Sequence, residues 1–143
     1  MSSEQETRPE PETGSAPDLD AVIVGAGFSG MFMLYRLRDV LGMKARVFEA
    51  GDGVGGTWEW TTRYPQQPEI LRYLEHVSER FDLLRDIQFN TRVDSMHFDE
   101  NAQRWNVTTA SGEQLSTQFC VMATGCLSST NTPDFDGIGS FEG

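Results

Sequence analysis

The sequence predicts an α/β domain with a doubly wound, mostly parallel sheet and a small antiparallel β insertion. Three observations carry this. An apolar run, Ala21–Val24, is followed by an apolar-faced helical segment and a second β-type run, Ala45–Phe48, within about 30 residues, the length of a right-handed parallel crossover unit. Three glycines, Gly25, Gly27 and Gly30, punctuate the junction between the first run and the helix. Further on, two β-type runs flank Ser111-Gly112 as the arms of a hairpin.

Each element has its own reason. Ala21–Val24 is a short apolar run stopped by a glycine, as expected of a strand buried on both faces. From Ser29 to Leu41 the apolar residues Met31, Leu34, Leu37, Val40 and Leu41 recur at helical spacing, with Arg36, Arg38 and Asp39 facing elsewhere and Gly42 as the stop. Residues 51–65 carry Gly51, Gly53, Gly55 and Gly56 beside Trp58 and Trp60 and read as a loop. A second helix opens at Gln67-Pro68 and runs to about Phe81, with Ile70, Leu71, Leu74, Val77 and Phe81 on one face and Glu75, Glu79 and Arg80 on a solvated one. Ile87–Phe89 and Val93–Phe98 read as short strands; Trp105–Thr109 and Leu115–Met122 form a hairpin whose second arm continues as a buried strand.

The 143 residues are about one domain's length, enough to bury roughly two thirds of the unfolded chain's surface. The net charge is −11, and an acidic chain is a poor partner for nucleic acid, whose phosphates select Lys and Arg. Residues 1–19 are rich in acids and hold Pro9, Pro11 and Pro17, so they read as a disordered acidic leader, with residues 20–143 as the folded domain. No apolar stretch approaches the roughly 20 residues of a membrane span, and the polar N-terminus is not a secretory signal, so a cytoplasmic location is expected, with no membrane partner. Cys120 and Cys126 do not make a disulfide framework and read as small core or loop residues. His76 and His97 have no Cys, His or Asp at ligand spacing, so no metal site is expected, and no Ser-His-Asp arrangement is present.

The glycines point to a dinucleotide. Gly25 permits the turn out of the strand, Gly27 lets backbone approach a pyrophosphate, and Gly30 lets helix and strand pack closely, which together make a Rossmann-like phosphate seat at a helix N-terminus. Glu49 closes the second strand, 24 positions after Gly25, where an acid accepts hydrogen bonds from a ribose diol and repels a 2′-phosphate. That favours FAD or NAD over NADP. The second glycine turn with its aromatic, Gly55-Gly56-Thr57-Trp58, and the small-residue strand exit Ala123-Thr124-Gly125 favour FAD of the two.

The segments GAGFSG, FEAGDGVGGTWEW, QPEILRYLEHV, FNTRV and VMATGCLS, in that order, resemble the FAD-binding part of the Baeyer-Villiger monooxygenases, class B flavoprotein monooxygenases; the resemblance runs from about Asp20 to the last residue. It implies that Gly25, Gly27, Phe28, Ser29 and Gly30 line the FAD pyrophosphate, Glu49 the adenosine ribose, and Gly56, Thr57 and Trp58 the middle of the cofactor. Val93 would meet the adenine, and Ala123, Thr124 and Gly125 would close over FAD. The implied parent activity is NADPH- and O₂-dependent conversion of a small-molecule ketone to an ester or lactone.

Two departures qualify that implication. The family has a segment of about thirty residues between its GG-x-W-x-W motif and the second helix, with an R-Y-P-G run, whereas here Gln67 follows Trp60 by seven positions and only Arg63-Tyr64-Pro65 echoes that run. Phe141-Glu142-Gly143 matches the opening of the family fingerprint F-x-G-x-x-x-H-T-x-x-W. The expectation is therefore of a fragment with an internal deletion, lacking the NADP site and the active-site arginine, with no catalytic residue of its own and inactive in isolation. The alternatives are an N- or S-oxygenating relative, or a non-catalytic nucleotide-binding remnant. A disulfide reductase would want a C-x4-C pair near the first helix, and none is there. The sequence leaves the oligomeric state open.

Overall fold

The computed structural model describes residues 17–55 and 67–125. Its elements are β1 (Leu19–Val24), α1 (Phe28–Tyr35), β2 (Ala45–Phe48), α2 (Gln67–Arg80), β3 (Ile87–Gln88), β4 (Val93–Asp99), β5 (Arg104–Thr109) and β6 (Gln114–Met122). They form a six-stranded sheet of order β3-β2-β1-β6-β5-β4. The pairs β3–β2, β2–β1 and β1–β6 are parallel, and β6–β5 and β5–β4 are antiparallel. The expected Rossmann-like α/β fold is present, and the antiparallel strands extend its sheet. Thr117 marks the change of hand, because it lies opposite Leu19 in the parallel half and Trp105 in the antiparallel half.

Alternation along the strands sorts the core into two layers. Ala21, Ile23, Ala45, Val47 and Ile87 face Met31 and Leu34 of α1 and Leu74 of α2, with Leu83 beside them. Val22 and Phe48 point the other way and pack with Leu19, Val107 and Leu115, so the antiparallel strands cover the face that the helices leave. Strands buried on both faces are mostly apolar, which is why Ala45, Val47 and Phe48 read as a short β-type run around the partly exposed Arg46. Each fully buried large side chain contributes about 1.5–3 kcal/mol, enough for two such layers to hold a strand as short as β2.

The structure corrects the sequence reading at three places. The first helix does not keep one winding to Leu41: α1 ends at Tyr35, and Arg36–Val40 form a π turn, with the Leu41 N–H donating to the Arg36 carbonyl at 3.1 Å. The wider turn rotates the remaining side chains off the apolar stripe, leaving Val40 and Leu41 exposed, Leu41 at 62%. The second place concerns Arg38, expected only to face away from the apolar stripe. Its side chain is only 12% exposed and donates to Asp39 at 2.7 and 2.9 Å, Asp86 at 2.9 Å, and the carbonyls of Phe81 and Asp82 at 2.6 and 2.8 Å. The hydrogen bonds to Asp39 and then Asp86 push its pKa further up, and Arg38 thereby ties the π turn to the carbonyls that follow α2. Third, β6 is buried only in part. Leu115 and Thr117 are inside, but Phe119 and Met122 stand 49% and 58% exposed. Its C-terminal half pairs with β1, while α1 lies over β1 and β2.

On α2, Leu74 is buried and Ile70 and Val77 pack against the core, as expected; Phe81, just past its end, is exposed and meets Tyr35 at a tilt, with 5.0 Å between ring centres. Ser78 is a buried residue that the apolar pattern does not reveal, its hydroxyl donating to the Glu75 carbonyl at 2.7 Å. The hairpin turn is where it was expected, with Gly112 at φ +90°. Among the described residues no helix is long and apolar enough to cross a membrane. Residues 1–16 of the leader expected at 1–19, and Cys126, lie outside the described residues, and Leu19 opens β1 instead of closing the leader.

Candidate nucleotide-binding site

The carboxyl ends of β1, β2 and β6 meet at the glycine turn. Gly25 leaves β1 at φ +104°, in the region that only glycine enters easily, and its N–H donates to the Phe48 carbonyl at 2.8 Å. A side-chain carbon placed on Gly25 would stand 2.6 Å from the Ala123 carbonyl oxygen, and one on Gly30 would stand 1.8 Å from the Gly25 carbonyl oxygen. Both positions are filled by neighbouring backbone. Gly27 is the opposite case: a side-chain carbon there meets nothing within 4 Å. The turn is therefore packed tight on both sides of one open position, at the first residues of α1.

That open position has the electrostatics of an anion seat. Gly27 caps α1 with no side-chain hydrogen bond, and the first turn of the helix carries no acidic residue. The first N–H groups of a helix have no intrahelical partner and concentrate about half a positive charge. Phe28 and Ser29 are exposed at this terminus while Gly30 is buried beneath it. The residues thus fit a diphosphate: a positive dipole end with no acidic side chain in its first turn, and no Cβ in the approach.

Glu49 sits beside this seat. Its Oε2 accepts the Ala26 N–H at 2.6 Å and its Oε1 accepts the Gly51 N–H at 2.7 Å. A carboxylate has about four acceptor positions, so capacity remains for sugar hydroxyls. The Glu49 main chain is equally fixed, donating to the Gln88 carbonyl and accepting from the Thr91 N–H at 2.9 and 2.8 Å. Thr91 leads into Val93, which opens β4 half-buried against the second core layer.

Of the residues expected at the site, the structure brings Gly25, Gly27, Phe28, Ser29, Gly30, Glu49 and Ala123 together. Ala123 donates its N–H to the Val24 carbonyl at 2.9 Å; Thr124 follows against Gly25, and Gly125 turns at φ +72°. Val93 is linked to the group through Thr91. Gly56, Thr57 and Trp58 lie outside the described residues, as do Arg63, Tyr64 and Pro65. Sequence reasoning missed Ala26 and Gly51, whose contribution is an amide and so leaves no side-chain signal.

Among the described residues nothing comparable stands elsewhere. An open cleft of about 480 Å³ lies at the amino ends of the strands, lined by Asp18, Lys44, Arg46 and Glu113, and one of about 410 Å³ lies between Val54 and α2; the glycine turn lines neither. No group of His, Cys, Asp and Glu among the described residues could hold a metal, and His76 and His97 are exposed. Cys120 is half-buried in the second core layer, and burial pushes its thiol up to about 11, so it is an unreactive packing residue.

Known proteins share this arrangement. The family model for an NAD(P)-binding Rossmann-like domain matches residues 23–85, from β1 past α2. A Baeyer-Villiger monooxygenase of Pseudooceanicola batsensis is 37% identical over 155 positions, covering 88% of this chain. This chain is homologous to Baeyer-Villiger monooxygenases. A phenazine N-monooxygenase of Lysobacter antibioticus is likewise 37% identical, over 153 positions. Among solved structures, OTEMO in complex with FAD and NADP is 35% identical, with a TM-score of 0.74 over 90% of this chain and 30% of that one. The chain spans 28% of the length of both curated relatives. In the first of these matches, 88% of 143 residues is about 126, so about thirty of the 155 matched positions have no residue here. That shortfall is close in length to the segment expected to be missing between Trp60 and Gln67.

Proposed function

We propose that this chain binds FAD through its glycine turn and is the FAD-binding portion of a flavin-dependent monooxygenase that uses NADPH and O₂ to convert ketones to esters or lactones. One observation carries the reading: an open, uncapped helix N-terminus at Gly27 stands beside a carboxylate whose Oε2 is 2.6 Å from the Ala26 nitrogen. The turn and α1 hold the diphosphate, Glu49 holds the ribose, Val93 borders the adenine, and Ala123, Thr124 and Gly125 close the side next to β6. Gly56, Thr57 and Trp58 meet the middle of the cofactor. Bound FAD would supply the redox and oxygen-transfer chemistry; the chain's own residues bind it and orient it. A cytoplasmic location, no nucleic-acid or membrane partner, and an acidic leader ahead of the folded domain belong to the same reading.

The test is reconstitution. Purified chain incubated with FAD and freed of excess is expected to retain the visible flavin band, and to show no ketone-dependent NADPH oxidation alone. Loss of all flavin on desalting removes the assignment, and ketone-dependent turnover removes the inactivity. A second reading has support in the phenazine N-monooxygenase match: the parent oxygenates nitrogen. The glycine turn is common to both readings, so substrate assays on the parent enzyme separate them.

A further inference from the structure

We propose that Glu49 is a positioning residue for the phosphate seat as well as an acceptor for the sugar: by holding the Ala26 and Gly51 amides, its carboxylate sets the glycine turn in the shape that receives a diphosphate. The inference rests on the nucleotide reading above and adds a second role to one of its residues.

The geometry that points to it is local. Ala26 is the fully buried residue of the turn, and an unpaired amide there costs the full desolvation of the group. Its N–H is taken by Glu49 Oε2 at 2.6 Å, and its carbonyl accepts the Gly55 N–H at 3.2 Å. Both polar groups of Ala26 are thus held by the segment that leaves β2. Glu49 Oε1 meanwhile accepts the Gly51 N–H at 2.7 Å, pinning the start of the same segment. One side chain therefore couples the glycine turn to the loop that follows β2. Gly25 at φ +104° and the open Gly27 flank Ala26 directly, so the orientation of Ala26 fixes the direction of the amides beyond it.

Charge alone predicts the reverse. A carboxylate beside an anion seat repels the anion, and neutralising it should tighten diphosphate binding. Glutamine offers one acceptor oxygen and an NH₂ donor, so one of the two N–H groups would face another donor. Aspartate keeps the charge on a shorter arm that does not span both amides. The positioning role therefore predicts that both replacements weaken an anion that carries no sugar.

The experiment uses the full 143-residue chain and two probes, inorganic pyrophosphate and ADP, with affinity read from the Gly27 and Ser29 amide resonances. Wild type is expected to bind both. Glu49→Gln is expected to weaken pyrophosphate about tenfold although it removes a negative charge, and Glu49→Asp to weaken it comparably with the charge kept. Pyrophosphate affinity that is unchanged or higher in Glu49→Gln, with ADP alone weakened, overturns the proposal and leaves the nucleotide reading standing. Failure of wild type to bind ADP overturns that reading instead. Should neither variant fold, hydrogen exchange in unliganded wild type decides: slow Ala26 and Gly51 amides support the proposal, and exchange of either at unprotected rates defeats it.

Discussion

The two ends of the parallel strands are built from different materials. At the amino ends, side chains do the tying: Asp18 accepts the Ser116 N–H at 2.8 Å, Asp20 accepts the Lys44 N–H at 2.7 Å, the Lys44 ammonium reaches the Asp18 carbonyl at 2.7 Å, and Glu113 meets Arg46 at 3.6 Å. At the carboxyl ends backbone packs on backbone at Gly25, Gly30 and Ala123, and Glu49 is the side chain that joins turn to loop. The difference teaches where this fold keeps room for a ligand. Exposed charged ties are each worth about 1 kcal/mol or less and are replaceable, whereas bare amides at strand ends can serve an anion only while no side chain occupies them.

The sharpest way to break this comparison is Gly30→Ala. The added carbon falls 1.8 Å from the Gly25 carbonyl oxygen, inside any allowed contact, so helix and strand must part. A loss of about 3–5 kcal/mol is expected in urea unfolding, the range of severe overpacking and strain. A change under 1 kcal/mol would mean that the close approach at Gly30 is not maintained in solution.

Next in size is Glu49→Arg, which removes the amide and diol acceptors and places a cation where they stood. FAD binding is expected to weaken by about 2–3 kcal/mol or more, measured by flavin fluorescence titration. Gly27→Val separates folding from binding at the same turn. Its φ of −77° suits any residue and its surroundings are open, so stability should hold within about 1 kcal/mol, yet the branched side chain stands in the phosphate approach. A variant that folds and still retains flavin would take Gly27 out of the site.

The smallest effect belongs to the amino ends. The Asp18 carboxylate is held below its usual pKa first by the Ser116 amide and then by the Ser116 hydroxyl. A carboxylate depressed by folding stabilises above its unfolded pKa, and that contribution fades as pH falls through the depressed folded value. Protection of the Ser116 amide, its exchange rate taken relative to the intrinsic rate at each pH, should therefore fall only below the ordinary carboxylate range, with little change in global stability. Loss of that protection already near neutral pH would assign the tie to another group.

Much of the architecture was legible because strands buried on both faces are mostly apolar and glycines that receive backbone cannot be anything else. The strand, turn, helix and strand from Ala21 to Phe48, the Ser111-Gly112 hairpin and the acid at Glu49 all follow from such local constraints. The π turn at Arg36–Val40 was not legible: the helical stripe through Leu41 is locally sound, and only Asp86 and the Phe81 and Asp82 carbonyls, more than forty residues away, draw Arg38 inward. Nor was the partial exposure of Phe119 and Met122, since an apolar run carries no information about which neighbours cover it.

By itself the sequence determined which residues have no room for a side chain and where an acid closes the second strand, because covalent geometry and hydrophobic periodicity act over a few residues. Only the tertiary structure decided that Glu49 reaches back to the Ala26 amide, that Ala123 seals Gly25, and that Gly27 alone of the three glycines looks onto open space. Those outcomes depend on how β1, β2 and β6 align side by side, and that register is settled by the packing of two whole faces of the sheet rather than by any one segment.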